Sequence, residues 1–302
     1  MVTNLRLFAA ALLAATYSLL SEVQSATISV DCSSEKVQEK IAQAKAGDVI
    51  QVSGTCNESV QIASEVVRIT LDGQGKAVVQ APQGRDGIFI RGRDIAVRGF
   101  TLTGGRDGIH LSGQAAGASA IIENNTIRRT SRHGIHLDQG SIGRIGGNTI
   151  EDVGAEGIDL TESSSARVGF IIAEALPNTI RNAGLNAISV SRGSTAKILG
   201  NVLTGSTSSG IVVARNAHAD IWGNTIFANG GDAIAVSHGG GIVLKGEGMP
   251  RLDKANETDA SQPNHGFGIS CILSGYVDGR LGTLNGKRGD KEIDASCAYR
   301  LE

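Results

Sequence analysis

The chain contains 302 residues, with 41 glycines, only 3% aromatic residues and a formal net charge of −2. Because this near-neutral charge includes no basic arm or stripe, we do not expect a nucleic-acid partner. No apolar segment of the sequence is long enough to span a bilayer, so no membrane span is expected.

The first 25 residues have the pattern of a signal peptide. Arg6 supplies a positive charge, residues 7–20 form a short apolar region, and small residues follow at Ser25 and Ala26. We therefore predict a signal peptide over 1–25 and a mature chain that begins near Thr27. The predicted location is secreted or periplasmic, and a monomer is expected.

The four cysteines form one local pair near each end of the mature chain. Cys32 precedes Cys56, and Cys271 precedes Cys297, each by about 25 residues. An even number of cysteines in an exported chain favours two disulfides, although four cysteines allow three connectivities. Zinc is a weaker interpretation, because no CxxC motif or nearby histidine pair accompanies them.

A short helix is predicted before the main part of the chain. Val37, Ile41 and Ala44 have helical spacing within residues 37–46, and the strand VIQV follows at 49–52. We expect this segment to lie in an N-terminal cap over 27–58, which would cover an open sheet edge.

Three short strand motifs then recur with a spacing of about 23 residues. The first occurs as GIFI (87–90), GIHL (108–111 and 134–137), GIDL (157–160), AISV (187–190), GIVV (210–213) and AIAV (233–236). The second includes ARVG (166–169) and ADIW (219–222), and the third is NTI (125–127, 148–150, 178–180 and 224–226) with NVL (201–203).

Each motif matches its counterpart one period later, so the strands are expected to stack in parallel rather than form hairpins. The sequence therefore predicts an all-β fold, a single right-handed parallel β-helix over 27–302. About eight coils are expected over 59–245, with a disulfide-braced C-terminal cap over 246–302. Residues 169–177 lengthen one coil, and we expect this insertion to form a wall beside the polar cluster described below.

The repeats GIxL and NTI, with GDVIQV following a short helix, resemble the pectin-lyase-like right-handed β-helix superfamily. The likeness is to its group with PbH1-type repeats, which includes mannuronan C5-epimerases and NosD-like periplasmic proteins. The resemblance implies the fold and an association with polysaccharides. The epimerase DPHD signature is missing, as is the polygalacturonase set NTD, DD, GHG and RIK. No catalytic residue is therefore carried over from either family.

An asparagine recurs at one position of the repeat. Because buried amides can satisfy backbone groups between coils, we expect an inward ladder rather than a row of sugar ligands. Its members are Asn125, Asn148, Asn178, Asn201 and Asn224.

Charged residues gather on one face of three adjacent coils. Strand alternation places Ile109 and Leu111 in the interior and His110 on the outer face. Equivalent positions on other coils hold uncharged residues, for example Phe89 and Ser189. The cluster consists of Arg106, Asp107, His110, Arg132, His133, His136, Asp138, Glu156, Asp159 and Glu162.

Spacing within this cluster suggests catalytic roles for His136, Asp138 and Asp159. Aligned residues on neighbouring coils lie about 4.8 Å apart, so His136 is expected beside Asp159. The two aspartates should be roughly 8 Å apart, which suits an inverting glycoside hydrolase. In a lyase or epimerase, His136 would remove a proton beside a uronate carboxylate. Arg106 or Arg132 would neutralise that carboxylate, and the rest of the cluster is predicted to bind substrate.

Two other interpretations of the cluster stay open. No cofactor is certain, but His110, His136 and Asp159 could converge on a divalent cation. Alternatively, the histidines and carboxylates form only favourable cross-strand pairs on an exposed face, each worth roughly 0.2–1 kcal/mol.

The sequence as a whole predicts an exported protein that binds or modifies a polysaccharide, as a lyase, epimerase or glycoside hydrolase would. The alternative is a non-catalytic binding or structural protein of the periplasm or cell surface. That alternative is favoured by the missing family signatures and by the scarcity of long loops. The fold alone does not decide between these functions or establish catalysis.

Overall fold

The computed structural model describes residues 25–114, 117–172, 174–244 and 254–302. These residues form a parallel β-solenoid of about 11 turns with almost no helix, which confirms the predicted fold class. The number of turns exceeds the predicted eight because strands of both predicted caps pair in register with the coils. Residues 1–24 of the predicted signal peptide and 246–253 of the predicted C-terminal cap lie outside the described residues.

The first motif forms a parallel sheet of ten strands, which we call the first sheet. Its strands are β4 (Val60–Ile62), β6 (Ile88–Ile90), β8 (Ile109–Ser112), β11 (Ile135–Asp138), β14 (Ile158–Leu160), β17 (Ile188–Val190), β20 (Ile211–Ala214), β23 (Ile234–Ser237), β25 (Phe267–Cys271) and β27 (Gly289–Ile293).

The second motif forms the second row of strands. It contains β1 (Thr27–Asp31), β2 (Val49–Ser53), β5 (Thr70–Ala81), β7 (Ile95–Gly104), β9 (Ser119–Glu123), β12 (Ile142–Gly146), β15 (Ser165–Val168), β18 (Thr195–Leu199), β21 (His218–Trp222), β24 (Gly241–Leu244), β26 (Tyr276–Gly279) and β28 (Ala298–Leu301).

The asparagine motif forms the third row of strands. The long strands β5 and β7 extend from the second row into the third and so join the two rows. The other strands of the third row are β3 (Thr55–Cys56), β10 (Thr126–Arg128), β13 (Thr149–Glu151), β16 (Thr179–Arg181), β19 (Val202–Thr204) and β22 (Thr225–Phe227).

Alternating apolar side chains fill the narrow interior. Ile109, Leu111, Ile135 and Leu137 are all 0% exposed, and their counterparts on other coils are buried in the same way. Full burial of such a side chain stabilises the fold by about 1.5–3 kcal/mol. The repeat therefore fixes the register, since a shift of one residue would turn this apolar column outward.

The predicted asparagine ladder is confirmed inside the third row. The amide oxygen of Asn148 accepts hydrogen bonds from the backbone N–H and the side-chain amide of Asn125, at 3.0 and 3.1 Å. The same pattern links the later members and continues to Asn256, which accepts from Asn224. Buried backbone groups at these turns are thereby satisfied from coil to coil.

Both ends of the solenoid are braced. Helix α1 (Val37–Ile41) is shorter than the predicted 37–46, and its first backbone N–H groups donate to the carboxylate of Glu58. Disulfides join Cys32 to Cys56 and Cys271 to Cys297, as predicted. In the described part of the chain, no helix has the length and apolar character needed to cross a membrane.

The expectation that residues 169–177 form a wall beside the charged cluster is wrong. The insertion joins β15 of the second row to β16 of the third row. Phe170 packs there against Leu199 and Trp222, so its apolar ring is held away from the first sheet. None of its described residues lines the groove of the first sheet.

Candidate functional site

The charged cluster lies on the outer face of the first sheet, in strands β8, β11 and β14 and the turns before them. The parallel register aligns His110 with His136, and His136 with Asp159, as the sequence pattern predicts. Asp159 is aligned in turn with Ser189 on β17. Four successive coils thus place one column of polar side chains along the solenoid axis.

The turns before these strands let adjacent coils approach closely. A Cβ atom on Gly108 would lie 2.7 Å from the carbonyl oxygen of Gly134, which is too close for any side chain. Glycine is therefore required between the turn and the strand. The residue just before each glycine forms a second polar column, which contains Asp86, Asp107, His133 and Glu156.

The cluster is far less exposed than an outer sheet face suggests. His110 and His136 are each 7% exposed, and Asp107 is 0% exposed. The two imidazole rings stack with their centroids 4.6 Å apart and an interplanar angle of 12°. Phe89 covers the other side of His110, with the ring centroids 4.8 Å apart. These side chains shield one another from solvent, although they lie on the outer face of the sheet.

Arg106, Asp86 and His110 form the first Arg–Asp–His set. Arg106 donates two hydrogen bonds of 2.9 Å to the carboxylate of Asp86. His110 Nδ1 lies 3.1 Å from Asp86 Oδ2, and its Nε2 lies 3.2 Å from Asp138 Oδ2. Burial acts to lower the pKa of His110, but these two carboxylates outweigh it and raise the pKa to about 9. His110 is therefore an imidazolium at neutral pH.

Arg132, Asp107 and His136 form the second Arg–Asp–His set, one coil further on. Arg132 donates to both oxygens of Asp107, at 2.9 and 2.6 Å. Its Nη2 also lies 2.6 Å from His136 Nδ1, whereas Asp107 Oδ2 is 3.6 Å from that nitrogen. Since a guanidinium can only donate, this contact favours the tautomer in which Nδ1 accepts and Nε2 carries the proton. That nitrogen lies 3.5 Å from Asp159 Oδ2.

Two acidic groups surround the third histidine. His133 Nδ1 lies 3.1 Å from Glu156 Oε2, and His133 Nε2 lies 4.0 Å from Asp159 Oδ2. Burial opposes the effect, but the contact with His133 lowers the pKa of Glu156. For Asp159, burial is the largest influence and raises the pKa, and the negative charge of Glu156 adds to the rise. Burial and the charge of Glu156 thus favour the protonated form of the Asp159 carboxyl.

The surroundings of Asp138 lower its pKa, whereas those of Asp159 raise its pKa. Burial acts to raise the pKa of Asp138, but hydrogen bonds from His110 and Ser112 lower it overall, so this carboxylate stays ionised. Its Oδ1 is buried and has no hydrogen-bond partner among the described residues, which leaves a proton acceptor on this carboxylate. Asp138 and Asp159 therefore combine an ionised carboxylate with one poised to hold a proton.

Both aspartates line a groove of about 550 Å³ on the first sheet. The groove contains most of the predicted site, including Glu162, which pairs at its rim with Arg192 over 3.4 Å. Arg106, Asp107 and His110 do not line it, and Arg106 and His110 border a smaller groove of about 230 Å³ on the preceding coils. The larger groove is lined by Arg132, His133, His136, Asp138, Glu156, Asp159, Thr161, Glu162, Ser189, Ser191, Arg192, Val212, Ala214 and Arg215.

Sequence reasoning missed four members of the site: Asp86, Ser189, Arg192 and Arg215. Alignment of the turns would have found Asp86, because RDG at 85–87 repeats as RDG at 106–108 one coil later. Arg192 and Arg215 also share a repeat position, in turns that follow β17 and β20. Ser189 gave no signal, since a serine in an outward position is ordinary on a sheet surface.

Three sets of donor atoms in the site lie close enough together to hold a cation, one of them formed by Asp107, His133 and His136. His110, His136 and Asp138 place one candidate ligand atom each within 4.8 Å of one another, as do Asp86, Asp107 and His110. Asp86 and Asp107 each bind an arginine through both oxygens, so a cation beside them would face a guanidinium. The imidazoles and carboxylates of the cluster lie in close contact with one another across neighbouring coils.

Comparison with family models identifies the class of protein. The model for the right-handed β-helix region matches residues 26–226, which is more than half of the chain. The chain therefore belongs to the right-handed β-helix family. Comparison of its sequence with curated proteins gives no match.

Solved structures share the fold at low sequence identity. An alginate lyase from Paenibacillus sp. str. FPU-7 is 16% identical with a TM-score of 0.63, over 90% of this chain and 99% of that one. The D317A mutant of the periplasmic alginate epimerase AlgG is 15% identical with a TM-score of 0.60, over 91% and 75%. A GH87 α-1,3-glucanase from Streptomyces thermodiastaticus strain HF3-3 is 16% identical with a TM-score of 0.51, over 90% and 67%. At these identities the likeness establishes the fold alone.

Proposed function

We propose that the protein is an exported enzyme that modifies an acidic polysaccharide by acid–base catalysis in the groove of the first sheet. One observation carries the proposal: two carboxyl groups with oppositely shifted pKa values, Asp138 and Asp159, line the same groove. Environments that separate two pKa values in this way assign an acid and a base. The two disulfides support an oxidising location outside the cytoplasm.

In the proposed reaction, Asp159 is the acid and Asp138 is the base. Asp159 gives its proton to the glycosidic oxygen as the bond from that oxygen to the anomeric carbon breaks. Asp138 takes a proton from a water molecule, whose oxygen bonds to the anomeric carbon. The offset of one coil and two residues between the aspartates leaves room for that water. His136 then acts as a positioning residue, because its Nε2–H faces Asp159.

The arginines of the groove support an acidic substrate. Arg106 and Arg132, the predicted partners of a substrate carboxylate, are each bound through two hydrogen bonds to an aspartate. Arg192 and Arg215 are exposed in the turns that border the groove, and Arg215 forms no ion pair with any described residue. These two guanidiniums suit the carboxylates of a uronate polymer. The alginate lyase and the alginate epimerase of the same fold support this substrate class.

β-Elimination or C5-epimerisation of the same polymer is a second candidate reaction. It is favoured by the imidazoles of His133 and His136 beside Asp159, since imidazole is the commonest proton-transfer group in catalysis. In this reaction the base removes the proton on the carbon that carries the uronate carboxylate. Elimination then expels the glycosidic oxygen and leaves a double bond, whereas epimerisation returns a proton to the opposite face.

The test is incubation of the purified protein with polygalacturonate, alginate and a neutral glucan. New reducing ends without unsaturated uronate indicate hydrolysis, the ultraviolet absorbance of unsaturated uronate indicates elimination, and a changed uronate composition by NMR indicates epimerisation. We expect Asp159→Asn to lower turnover by at least about 100-fold, the usual contribution of a general acid. Asp290→Asn, at an exposed site on β27, serves as the matched control and should retain full turnover.

Two results would contradict the catalytic proposal. The first is measurable binding of these polymers without any of the three products, which favours the non-catalytic alternative. The second is full activity in the Asp159→Asn variant, which would remove this carboxyl from the chemistry.

A further inference from the structure

We propose that the second row of strands carries a separate binding strip for an anionic polysaccharide, formed by Arg144, Arg167 and Lys197. We call these three residues the basic strip. It shares with the proposed function only the class of ligand, because it lies on different strands from the groove of the first sheet.

The register places three positive charges directly beside one another. Arg144 on β12 is aligned with Arg167 on β15, which is aligned with Lys197 on β18. Parallel strands lie about 4.8 Å apart, so successive cations of the strip repeat at that interval. All three residues are exposed. Like charges aligned on neighbouring strands are destabilising, so the fold gains nothing from this arrangement.

Elsewhere in the second and third rows, aligned charges are of opposite sign, and several of them pair. Asp72 pairs with Arg98, and Glu151 with Arg181, each over 2.9 Å. In contrast, neither Arg144 nor Arg167 forms an ion pair with any residue that the structure describes. Lys197 alone is paired, with Asp220 on the next coil at 3.4 Å. The guanidinium of Arg167 lies over the ring of Phe170, 5.6 Å from its centroid, and neither guanidinium of the strip has a carboxylate partner among the described residues, so both can meet an external anion.

The surface beside the strip is shaped for a sugar chain. Arg167 and Lys197 border a depression of about 420 Å³. It is also lined by three alanines, by a row of polar side chains at Ser165, Thr195 and His218, and by the carboxylate of Asp220 that pairs with Lys197. The hydroxyls of Ser165 and Thr195 lie 3.3 Å apart, at positions one coil from each other. Hydroxyl and imidazole donors next to a row of cations suit a polymer that carries both hydroxyls and carboxylates.

The geometry points to a linear polymer that lies along the solenoid axis. A single small anion would contact one or two cations, whereas a chain with one carboxylate per sugar can meet all three. The cations repeat at an interval of about 4.8 Å along the axis, and the charges of a regular anionic polymer also repeat along its chain. Occupation of the strip would hold the polymer on the protein while another stretch enters the groove.

The test compares two double variants that remove the same charge. Arg144→Ala/Arg167→Ala deletes the two guanidiniums of the strip that have no carboxylate partner among the described residues. Arg280→Ala/Lys291→Ala deletes two exposed cations elsewhere. Binding of long-chain polygalacturonate and alginate is measured by calorimetry at several salt concentrations, with dextran as the neutral control. We expect the strip variant to bind the acidic polymers about ten-fold more weakly and with a smaller salt dependence. The control variant should bind like the wild type.

Unchanged affinity in the strip variant would overturn the proposal, and so would an equal loss in both double variants. Arg144→Lys/Arg167→Lys should recover most of the affinity, since it restores the charge. Binding is measured in the Asp159→Asn background, where turnover is blocked if the catalytic proposal is right. The change in polymer affinity of the strip variant can therefore be interpreted even if no catalysis is found.

Discussion

The two Arg–Asp–His sets contain the same residue types one coil apart, yet they hold their histidines differently. In the first set a carboxylate lies closest to the Nδ1 atom of His110, with Asp86 at 3.1 Å and Arg106 at 3.5 Å. In the second set the order is reversed, with Arg132 at 2.6 Å from His136 and Asp107 at 3.6 Å. A nitrogen that faces a carboxylate must donate, whereas one that faces a guanidinium must accept.

This reversal gives the two histidines separate tasks. His110 is bound by a carboxylate at each nitrogen and is a fixed positive charge that keeps Asp138 ionised. His136 directs its Nε2–H at Asp159, the carboxyl whose pKa burial raises. A duplicated turn and strand thus provides one histidine that stabilises an ionised carboxylate and one whose Nε2 faces a carboxyl with a raised pKa. The series ends on the next coil, where Ala155 occupies the position of Arg132.

The largest predicted effect is on the residue that joins the two sets. Asp107 accepts both hydrogen bonds from Arg132 and one from the backbone N–H of His133, and it lies 3.6 Å from Arg106. Its removal would leave these donors without a partner in a buried site. We expect Asp107→Ala to lower the free energy of unfolding by about 4 kcal/mol, measured by urea denaturation.

Asp86→Ala is the matched comparison in the first set. Asp86 retains slight exposure at 6%, against 0% for Asp107, and it contacts the second set through a 3.3 Å hydrogen bond from the backbone N–H of Asp107 rather than through an arginine. Its loss should cost about 1 kcal/mol less than that of Asp107. Equal costs for the two variants would mean that Asp107 does not couple the sets.

The second prediction concerns the charge on His110. Its pKa is raised from 6.5 to about 9 in the folded protein. Because the folded value exceeds the unfolded one, the resulting stabilisation is complete below pH 6.5 and is lost as the pH rises through about 9. The stabilisation that the charged form of His110 gives the fold is about 3 kcal/mol at most. Urea denaturation from pH 6 to pH 10 measures this loss, and NMR titration of the His110 ring measures the pKa itself.

His110→Gln should flatten the stability profile over that interval, because it removes the titrating group. His136→Gln should leave the profile unchanged there, since the contribution belongs to the first set. A titration of His110 near pH 6.5 would contradict the assigned difference between the sets.

Much of the fold could be predicted because the repeat encodes it directly. The alternation around Ile109 and Leu111 and the recurring asparagines fix the register, and both follow from local sequence. The number of turns was underestimated because strands such as β1 and β28 pair in register without the repeat motif. The fold of the insertion at 169–177 depends on Phe170 meeting Trp222 two coils later, a contact that no local pattern records.

The site could be predicted as a set of positions but not as a set of interactions. The register alone places His110, His136 and Asp159 in one column. Burial of the cluster and the choice between carboxylate and guanidinium at Nδ1 depend on side-chain rotamers across three coils, on which the sequence pattern carries no information. These interactions bring the histidines and carboxylates into contact across three coils and shield them from solvent.

The smallest predicted effect is on the free energy of unfolding, which substitution of Asp138 and substitution of Asp159 should change in opposite directions. The lowered pKa of Asp138 contributes stability above its unfolded pKa, and this contribution is lost as the pH falls through the folded value. The raised pKa of Asp159 means that its ionised form costs stability at neutral pH. At pH 7, Asp138→Asn should therefore lower the free energy of unfolding by about 1 kcal/mol, and Asp159→Asn should raise it by about 1 kcal/mol. Thermal denaturation of both variants at pH 7 measures the difference. If both variants are destabilised alike, Asp159 is a structural carboxylate rather than one poised for proton transfer.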